Sequence, residues 1–410
     1  MSETRFLSTT LANGLTVIAE HNPAASSFAC GYFVNTGSRD ETPEESGVSH
    51  FLEHMMFKGT DRRSADDINR EFDELGASYN AYTSEDRTVY YGAVLPEARA
   101  RLVDLLSDMM RPALRQSDFD IEKNVILEEI AMYEDSPLHR VFDLAGPRFF
   151  AGHPMGNSVL GTVESITDLT RDQMLRYFER RYAPDNLVLA AAGNFDWDEL
   201  LAQVRELTAD WTPSQAARRK PALQPHAGFE RETDSKLNRA HLALYAPAVS
   251  AQSELRTAAN LLANVLADYG GSRLHWALVD NGLADSAMLQ FDGGDGAGNF
   301  IAYVSTDPAR AEQVSRIMLD VVRGIQDDLP TEAEWQAARN KVATSVTLGS
   351  ETPFMRLMSL GSTWLYRQEY VPVADSVDRI LGCSLDDVRE LLADRPFDRA
   401  FVLQLGPDSQ

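Results

Sequence analysis

The segment from Glu44 to Thr60 contains a His-x-x-Glu-His pattern formed by His50, Glu53 and His54. Apolar residues recur in the same segment at helical spacing and would form one stripe: Val48, Phe51, Leu52 and Met55. Because the two histidines are four residues apart, their imidazoles share a helical face and can bind one metal ion, with the carboxylate beside them. The order is the inverse of the His-Glu-x-x-His pattern of zinc enzymes. The alternative is a solvated helical face on which three polar residues coincide.

A second helix could supply the third protein ligand that a catalytic zinc site needs. Over 118–134, the carboxylates of Glu122 and Glu129 share one helical face with apolar residues, namely Val125, Ile126 and Tyr133. Carboxylates are costly to bury without a partner, so a cation is expected near them. One acid can bind the metal while the other orients a histidine, and Glu128, at the edge of the stripe, is a weaker ligand candidate. Ion pairs with Arg or Lys across a helix interface are the alternative.

Composition excludes several classes of protein. The 410 residues include 38 Lys+Arg and 62 Asp+Glu, a formal net charge of −24, and 44% are hydrophobic. This length suits a globular protein of two domains, and the charge disfavours binding to nucleic acid or to an anionic membrane surface. The only cysteines, Cys30 and Cys383, do not form a disulfide framework and are expected in the core. With no recognisable signal peptide or membrane span, we expect a cytoplasmic protein.

Internal similarity predicts a duplicated domain. Val94–Leu106 resembles Ser305–Ile317, about half the chain later. A proline-rich segment with the basic triplet Arg218-Arg219-Lys220 predicts a solvated linker. We therefore predict a metal-binding catalytic domain, a linker and a second homologous domain without metal ligands, over 1–212, 213–228 and 229–410.

Strand and helix patterns predict an α+β fold in which each domain is a mainly antiparallel sheet with helices packed on one face. The patterns predict strands at Gly14–Glu20, Ser27–Asn35 and Thr88–Val94, and helices at Glu97–Met110 and Arg171–Tyr182. The glycine-rich run from Gly293 to Gly298 lacks a following Lys-Ser/Thr and reads as a turn between strands rather than a phosphate-binding loop.

Several motifs, spread over nearly the whole chain, resemble the pitrilysin/insulinase family of zinc peptidases. The resemblance is to half-length members similar to the mitochondrial processing peptidase subunits. The matching segments are Gly37–Glu41, Gly47–Thr60, Asn80–Thr83, Glu122–Ile130, His153–Asn157, Leu160–Thr162 and Tyr182–Leu187.

The resemblance implies one Zn²⁺ per chain, bound by His50, His54 and Glu129. It makes Glu53 the general base for peptide hydrolysis by a zinc-activated water, and Glu122 the carboxylate behind a ligand. It also implies that an extended peptide substrate adds to an edge strand. This strand maps onto five substrate-binding residues: Ser78, Asn80, Ala81, Tyr82 and Thr83.

One segment departs from the family pattern. Active members resemble Arg-x-x-x-x-Gly-Leu-Ala-Tyr in the second domain, whereas this chain has Asp285 at the tyrosine position and no arginine at the start of the pattern. Family members enclose peptides between two such chains, so the resemblance implies a homodimer, or a heterodimer with a family subunit that carries the Arg/Tyr pair. The alternative is a non-catalytic subunit of the same family that binds peptides or has a structural role.

Overall fold

The structure is a computed structural model that describes residues 4–268 and 270–408. Its strands are β1 (Arg5–Thr10), β2 (Thr16–His21), β3 (Phe28–Val34), β4 (Ser78–Thr83), β5 (Thr88–Val94), β6 (Leu187–Gly193), β7 (Gly228–Thr233), β8 (Ala240–Ala248), β9 (Ala284–Gly293), β10 (Gly298–Thr306) and β11 (Phe401–Gly406). The run from Gly293 to Gly298 joins β9 to β10, which confirms the predicted turn.

The α-helices complete the two layers of the fold. They are α1 (Val48–Met55), α2 (Ala65–Leu75), α3 (Arg99–Met109), α4 (Gln116–Glu134), α5 (Pro137–Phe150), α6 (Val163–Asp168), α7 (Arg171–Arg181), α8 (Trp197–Leu207), α9 (Arg256–Leu266), α10 (Ala311–Gly324), α11 (Glu332–Gly349), α12 (Pro353–Arg367), α13 (Val373–Gly382) and α14 (Leu385–Leu391). The strands and helices named from the sequence are all present, with ends within about two residues of the prediction. Among the described residues, no helix is both long and apolar enough to cross a bilayer.

The two sheets repeat one strand order, which confirms the predicted duplication and the α+β class. The first runs β1-β2-β6-β3-β5-β4 and the second runs β7-β11-β8-β10-β9. When β2 is matched with β7, the four strands that follow correspond in order and direction. In each sheet one pair is parallel, β2 with β6 and β7 with β11, and the other pairs are antiparallel.

The chain folds into two compact units that are not contiguous in sequence. The first combines residues up to 131 with 157–219 and 348–371, and the second combines 132–156 with 220–347 and the residues from 372 onward. Helices α5 and α12 therefore each belong to the unit whose sheet comes from the other half of the sequence. The predicted division into 1–212, 213–228 and 229–410 stays a prediction. The sequence could not assign α5 and α12 to their units, because helical periodicity does not reveal the sheet on which a helix packs.

Each sheet is covered on both faces. Strand β3 is apolar throughout, and alternate residues point to opposite sides, with Tyr32 in the core beneath α1 and α4 and Phe33 in a second core against α12. The approach of α12 is so close that a Cβ on its Gly361 would lie 2.3 Å from the Phe33 ring. Helix α5 covers the corresponding face of the second sheet. The helical layer on one face was predicted, and the single helix on the opposite face was not. Cys30 and Cys383 are free and buried, as predicted.

Candidate metal centre

Helix α1 carries the His-x-x-Glu-His residues and packs through the predicted stripe. All four apolar residues of that stripe are at most 1% exposed: Val48, Phe51, Leu52 and Met55. The helix begins after Gly47, which has φ +88°, a conformation that favours glycine. A Cβ at this position would lie 2.6 Å from the Leu160 carbonyl oxygen. Backbone conformation and burial therefore fix both the start and the orientation of the helix.

Glu41 holds the first turn of α1. Its carboxylate accepts hydrogen bonds from the backbone N–H groups of Gly47 and Ser49, both at 2.7 Å. These N–H groups lie at the start of the helix, where backbone donors have no acceptor within the helix itself. Burial raises the pKa of Glu41 to about 8, against the lowering effect of these hydrogen bonds. Sequence analysis missed this residue, because nothing in the pattern signals that an acid in the preceding loop folds back onto the helix.

Helix α4 brings the second acidic segment to α1. The rings of Phe51 and Phe119 stack with centroids 4.7 Å apart, and Ile126 is buried in the same core. Glu122 is buried on this face, as predicted, whereas Val125 is 40% exposed and does not belong to it. The buried face of α4 is centred on Glu122 and Ile126, and Val125 lies about 100° around the helix from its neighbour Ile126, which explains the error. Aromatic packing thus positions Glu122 and Glu129 against the histidines.

His50, His54 and Glu129 form one cluster. One ligand atom from each can be chosen so that all three lie within 4.8 Å of one another. Glu129 Oε1 is 3.8 Å from His50 Nε2, and Glu129 Oε2 is 3.5 Å from His54 Nε2. No other group of three potential ligands of this kind occurs in residues 4–268 and 270–408. The two segments predicted to meet therefore do meet.

The donor set fits a zinc ion. The two nitrogen–oxygen distances exceed those of ordinary hydrogen bonds. They are close to the separation of about 3.3 Å expected for two atoms that each lie about 2.0–2.1 Å from a tetrahedral ion. Two imidazoles and one carboxylate are also a ligand set typical of catalytic zinc, which leaves a fourth position open. Among the described residues, the ion pairs of Glu129 involve only these two histidines, so no Arg or Lys takes the place of a cation.

The protonation tendencies of the cluster agree with this fit. Burial, with a contribution from neighbouring His54, lowers the pKa of His50 to about 4, so this imidazole is neutral and can bind a metal at neutral pH. Burial raises the pKa of Glu129, with His54 opposing the shift. Burial also acts to lower the pKa of His54, but the hydrogen bond to Glu122 and nearby carboxylate charges give a net increase. The cluster therefore attracts positive charge.

Glu122 lies behind His54 and is itself held by a lysine. Its Oε1 accepts from His54 Nδ1 at 2.8 Å, and its Oε2 is 2.6 Å from Lys58 Nζ. This leaves His54 Nε2 directed at the cluster. The alternative of an ion pair with Lys thus applies to Glu122, while Glu129 faces the histidines. Lys58 was missed by sequence analysis, because it lies beyond the end of α1 and pairs with a residue of another helix.

Glu122→Gln should weaken zinc binding about 10–100-fold, the usual effect of losing a partner behind a metal ligand. A neutral amide is a poorer acceptor for His54 Nδ1–H and loses its ion pair with Lys58. Glu128→Gln is the matched control, since Glu128 is exposed on the same helix. Competition with a chromophoric chelator gives both affinities, and equal values for the two variants would contradict the assignment of Glu122.

Glu53 lies beside the cluster and is held by Thr83. The Thr83 hydroxyl donates to Glu53 Oε2 at 2.6 Å. Burial raises the pKa of Glu53, and this hydrogen bond and the nearby His54 oppose the shift. This hydrogen bond fixes Oε2 and thereby sets the orientation of the whole carboxylate. Oε1 does not bond to Thr83. Such an arrangement suits a group that exchanges protons with a reactant beside the metal.

The predicted substrate-binding residues form β4, the edge strand of the first sheet. Ser78 and Asn80 are exposed, and the Asn80 side chain accepts a hydrogen bond from the Ala81 N–H. Tyr82 packs toward α12 and accepts from Arg87 Nε, while Thr83 is engaged by Glu53. The strand is available on one side for main-chain pairing. The role of all five residues in substrate binding stays a prediction.

In the second unit, Asp285 is paired rather than free. It forms an ion pair with Arg239 and accepts a hydrogen bond from the Ser305 hydroxyl. A carboxylate has no phenolic hydroxyl, so Asp285 cannot replace the tyrosine of the family pattern. It is also occupied by Arg239 and Ser305. This part of the chain therefore offers a carboxylate and a guanidinium in place of the expected Arg/Tyr pair.

The chain is similar in sequence to known protein families and to individual relatives. Residues 16–163 match the family model described as insulinase (peptidase family M16), and residues 168–342 match the model described as peptidase M16 inactive domain. An uncharacterized zinc protease of Streptomyces coelicolor is 34% identical, with 97% of this chain and 89% of that protein covered. An uncharacterized zinc protease of Bacillus subtilis is 31% identical, with 97% of both proteins covered.

The fold agrees with solved structures. The crystal structure of a protease from Helicobacter pylori superposes with a TM-score of 0.92 at 19% identity, covering 98% of this chain and all of the other. A putative M16-like peptidase from Alicyclobacillus acidocaldarius gives a TM-score of 0.85 at 23% identity, covering 100% and 99%. The family resemblance seen in the sequence motifs is confirmed by the family models and the relatives together. The chain belongs to peptidase family M16, the insulinase family.

Proposed function

We propose that this chain is a zinc-dependent endopeptidase that hydrolyses peptides or unfolded polypeptide segments. The observation that carries the proposal is the cluster of His50, His54 and Glu129, with Glu53 beside it. His50, His54 and Glu129 would hold one zinc ion per chain. The names of the relatives support zinc and proteolysis as the general activity.

The residues of the chain divide the chemistry among them. Zinc at such a site supplies Lewis acidity, which polarises a scissile carbonyl and lowers the pKa of water. Glu53 takes a proton from the attacking water as the new carbon–oxygen bond forms, and then delivers that proton to the departing amine as the carbon–nitrogen bond breaks. Thr83 keeps Glu53 in position for both transfers, and Glu122 keeps His54 in the orientation that presents Nε2.

An extended peptide would bind along β4. Main-chain pairing with an edge strand makes little demand on sequence, so this mode of binding favours unfolded segments over folded proteins. Strand β4 lies next to α1 in the same core, and Thr83 at its end contacts Glu53 directly. A peptide paired with β4 would thus pass beside the general base.

The proposal includes a second subunit and a cytoplasmic location. The carbonyl-binding Arg/Tyr pair is absent from the sequence, and Asp285 at the tyrosine position is paired with Arg239. A heterodimer with a family subunit that carries the pair would supply those contacts; in a homodimer, stabilisation would rest on the metal. The same Asp285 is the observation that favours the second candidate function, a non-catalytic peptide-binding or structural subunit.

Metal content and cleavage of the purified full chain test the proposal. We expect about one zinc per chain, and cleavage of a reduced, alkylated polypeptide that stops on chelation and resumes when zinc is returned. The same polypeptide in its folded form is the control and should be cut far more slowly. Stoichiometric zinc without cleavage by the chain alone, followed by cleavage once a co-purifying subunit is added, would support the heterodimer. No zinc and no cleavage under either condition would favour the non-catalytic subunit.

A further inference from the structure

We propose that Arg218 is a positioning residue that sets the edge strand β4 for peptide binding, an inference that rests on the proposed function. Its side chain is 4% exposed, although Arg218 lies in the basic triplet that the sequence identified as a solvated linker. Its neighbour Arg219 is exposed. Of these two neighbouring arginines, the first therefore has its side chain buried in the first unit and the second is exposed.

Arg218 completes a buried cluster of charged groups. Its guanidinium bonds Asp40 through Nε at 3.1 Å and Nη2 at 2.6 Å, and Nη2 also donates to the Asp86 backbone carbonyl at 2.6 Å. Arg181 reaches Asp40 at 2.9 Å, and Arg39 reaches Asp86 at 2.6 Å. All five side chains are at most 4% exposed. Arg39 joins the two aspartate-bearing loops from within the Asp40 loop, whereas Arg218 comes from outside both loops and contacts each of them.

These two loops lead directly to the site. Asp86 lies in the turn that joins β4 to β5, three residues after Thr83. The backbone of the Asp40 loop pairs with the same turn, with Ser38 N–H donating to the Ser84 carbonyl and Arg39 N–H to the Glu85 carbonyl. The Asp40 loop continues into Glu41, which caps α1. Arg218 therefore ties the end of β4 to the loop that positions the helix bearing Glu53.

The geometry requires a guanidinium rather than a positive charge alone. Three donor contacts in two directions match the planar fork of arginine, and a lysine ammonium on a flexible stem cannot form the paired contact with Asp40 while reaching the Asp86 carbonyl. Loss of the fork still leaves each aspartate with another arginine, Arg181 for Asp40 and Arg39 for Asp86. The chain should therefore fold with Lys at position 218, but with a less firmly held β4–β5 turn.

Arg218→Lys and Arg219→Lys form a matched pair of substitutions in adjacent residues. Amide hydrogen exchange of the full chain reports on positioning without any need for turnover. We expect faster exchange over 78–94 in Arg218→Lys, because local opening becomes easier, and wild-type exchange in Arg219→Lys. Unchanged exchange over 78–94 in Arg218→Lys would overturn the inference, whatever activity the chain has.

Peptide binding separates positioning from general stability. In a Glu53→Gln background, which should not turn over substrate, the Kd of a fluorescein-labelled unfolded peptide is measured by anisotropy. We expect Arg218→Lys to weaken binding at least about tenfold, with zinc affinity unchanged, and Arg219→Lys to have no effect. Equal peptide affinity in both variants, or an equal loss of zinc and peptide affinity in Arg218→Lys, would overturn the inference. If the Glu53→Gln parent binds the peptide but the wild-type chain cleaves it neither alone nor with a co-purifying subunit, the proposed endopeptidase fails while Arg218 is still tested.

Discussion

Glu53→Gln should lower kcat for peptide hydrolysis about 10²–10⁴-fold while leaving zinc affinity at the wild-type level. Loss of a general acid–base group has an effect of this size. Glutamine has the shape of glutamate and its carbonyl oxygen can still accept the Thr83 hydroxyl, which now lies 2.6 Å from Glu53 Oε2. The amide cannot take up a proton from water at neutral pH. The ligands His50, His54 and Glu129 are unchanged, so the substitution separates proton transfer from metal binding.

Glu44→Gln is a suitable control for this experiment. Glu44 is exposed in the segment before α1, so its replacement changes net charge by the same amount without touching the site. Zinc affinity by chelator competition and cleavage rates by mass spectrometry should be measured on the same preparations. Near-normal turnover in Glu53→Gln would show that another group accepts the proton. A parallel loss of zinc would instead assign Glu53 a part in holding the metal.

The site was largely predictable because two local patterns define it. The spacing of Val48, Phe51 and Met55 fixes which side of α1 is buried, so His50 and His54 must share the opposite side. Acids on one face of α4 then imply a cation. Choosing Glu129 over Glu122 as the ligand required the family resemblance, since both lie on nearly the same face.

The supporting residues could not be predicted in the same way. Thr83 and Arg218 act through contacts between segments that are distant in sequence, and Glu41 acts through a loop that folds back onto the start of α1. None of the three repeats with a helical or strand period. The same limit applies to α12. Its apolar face predicts burial, but the choice of the first sheet depends on long-range fits such as Gly361 against Phe33 and the buried ion pair of Arg356 with Glu20. Periodicity describes one element at a time, and these contacts join elements.

His50→Ala should reduce zinc affinity by more than about 100-fold, because removing a ligand costs more than removing the partner behind one. Nothing else in the described structure depends on the hydrogen bonds of this side chain. His50 Nδ1 is buried without a hydrogen-bond partner among the described residues, and His50 Nε2 faces Glu129 at 3.8 Å. The free energy of unfolding should therefore change mainly through the small cavity left by the ring, and the zinc-free chain should still fold.

His226→Ala is the control for His50→Ala, since the His226 side chain is 53% exposed in the second unit and should leave zinc affinity unchanged. Thermal unfolding of both variants with excess chelator shows whether the folds are equally intact, and competition with a chelator gives the zinc affinities. If His50→Ala kept wild-type affinity, the metal would have to bind elsewhere, and the cluster on α1 and α4 would lose its role. We expect zinc affinity to fall in His50→Ala, to fall less in Glu122→Gln and to stay unchanged in His226→Ala. This order would match a site in which His50 binds the metal directly and Glu122 acts through His54.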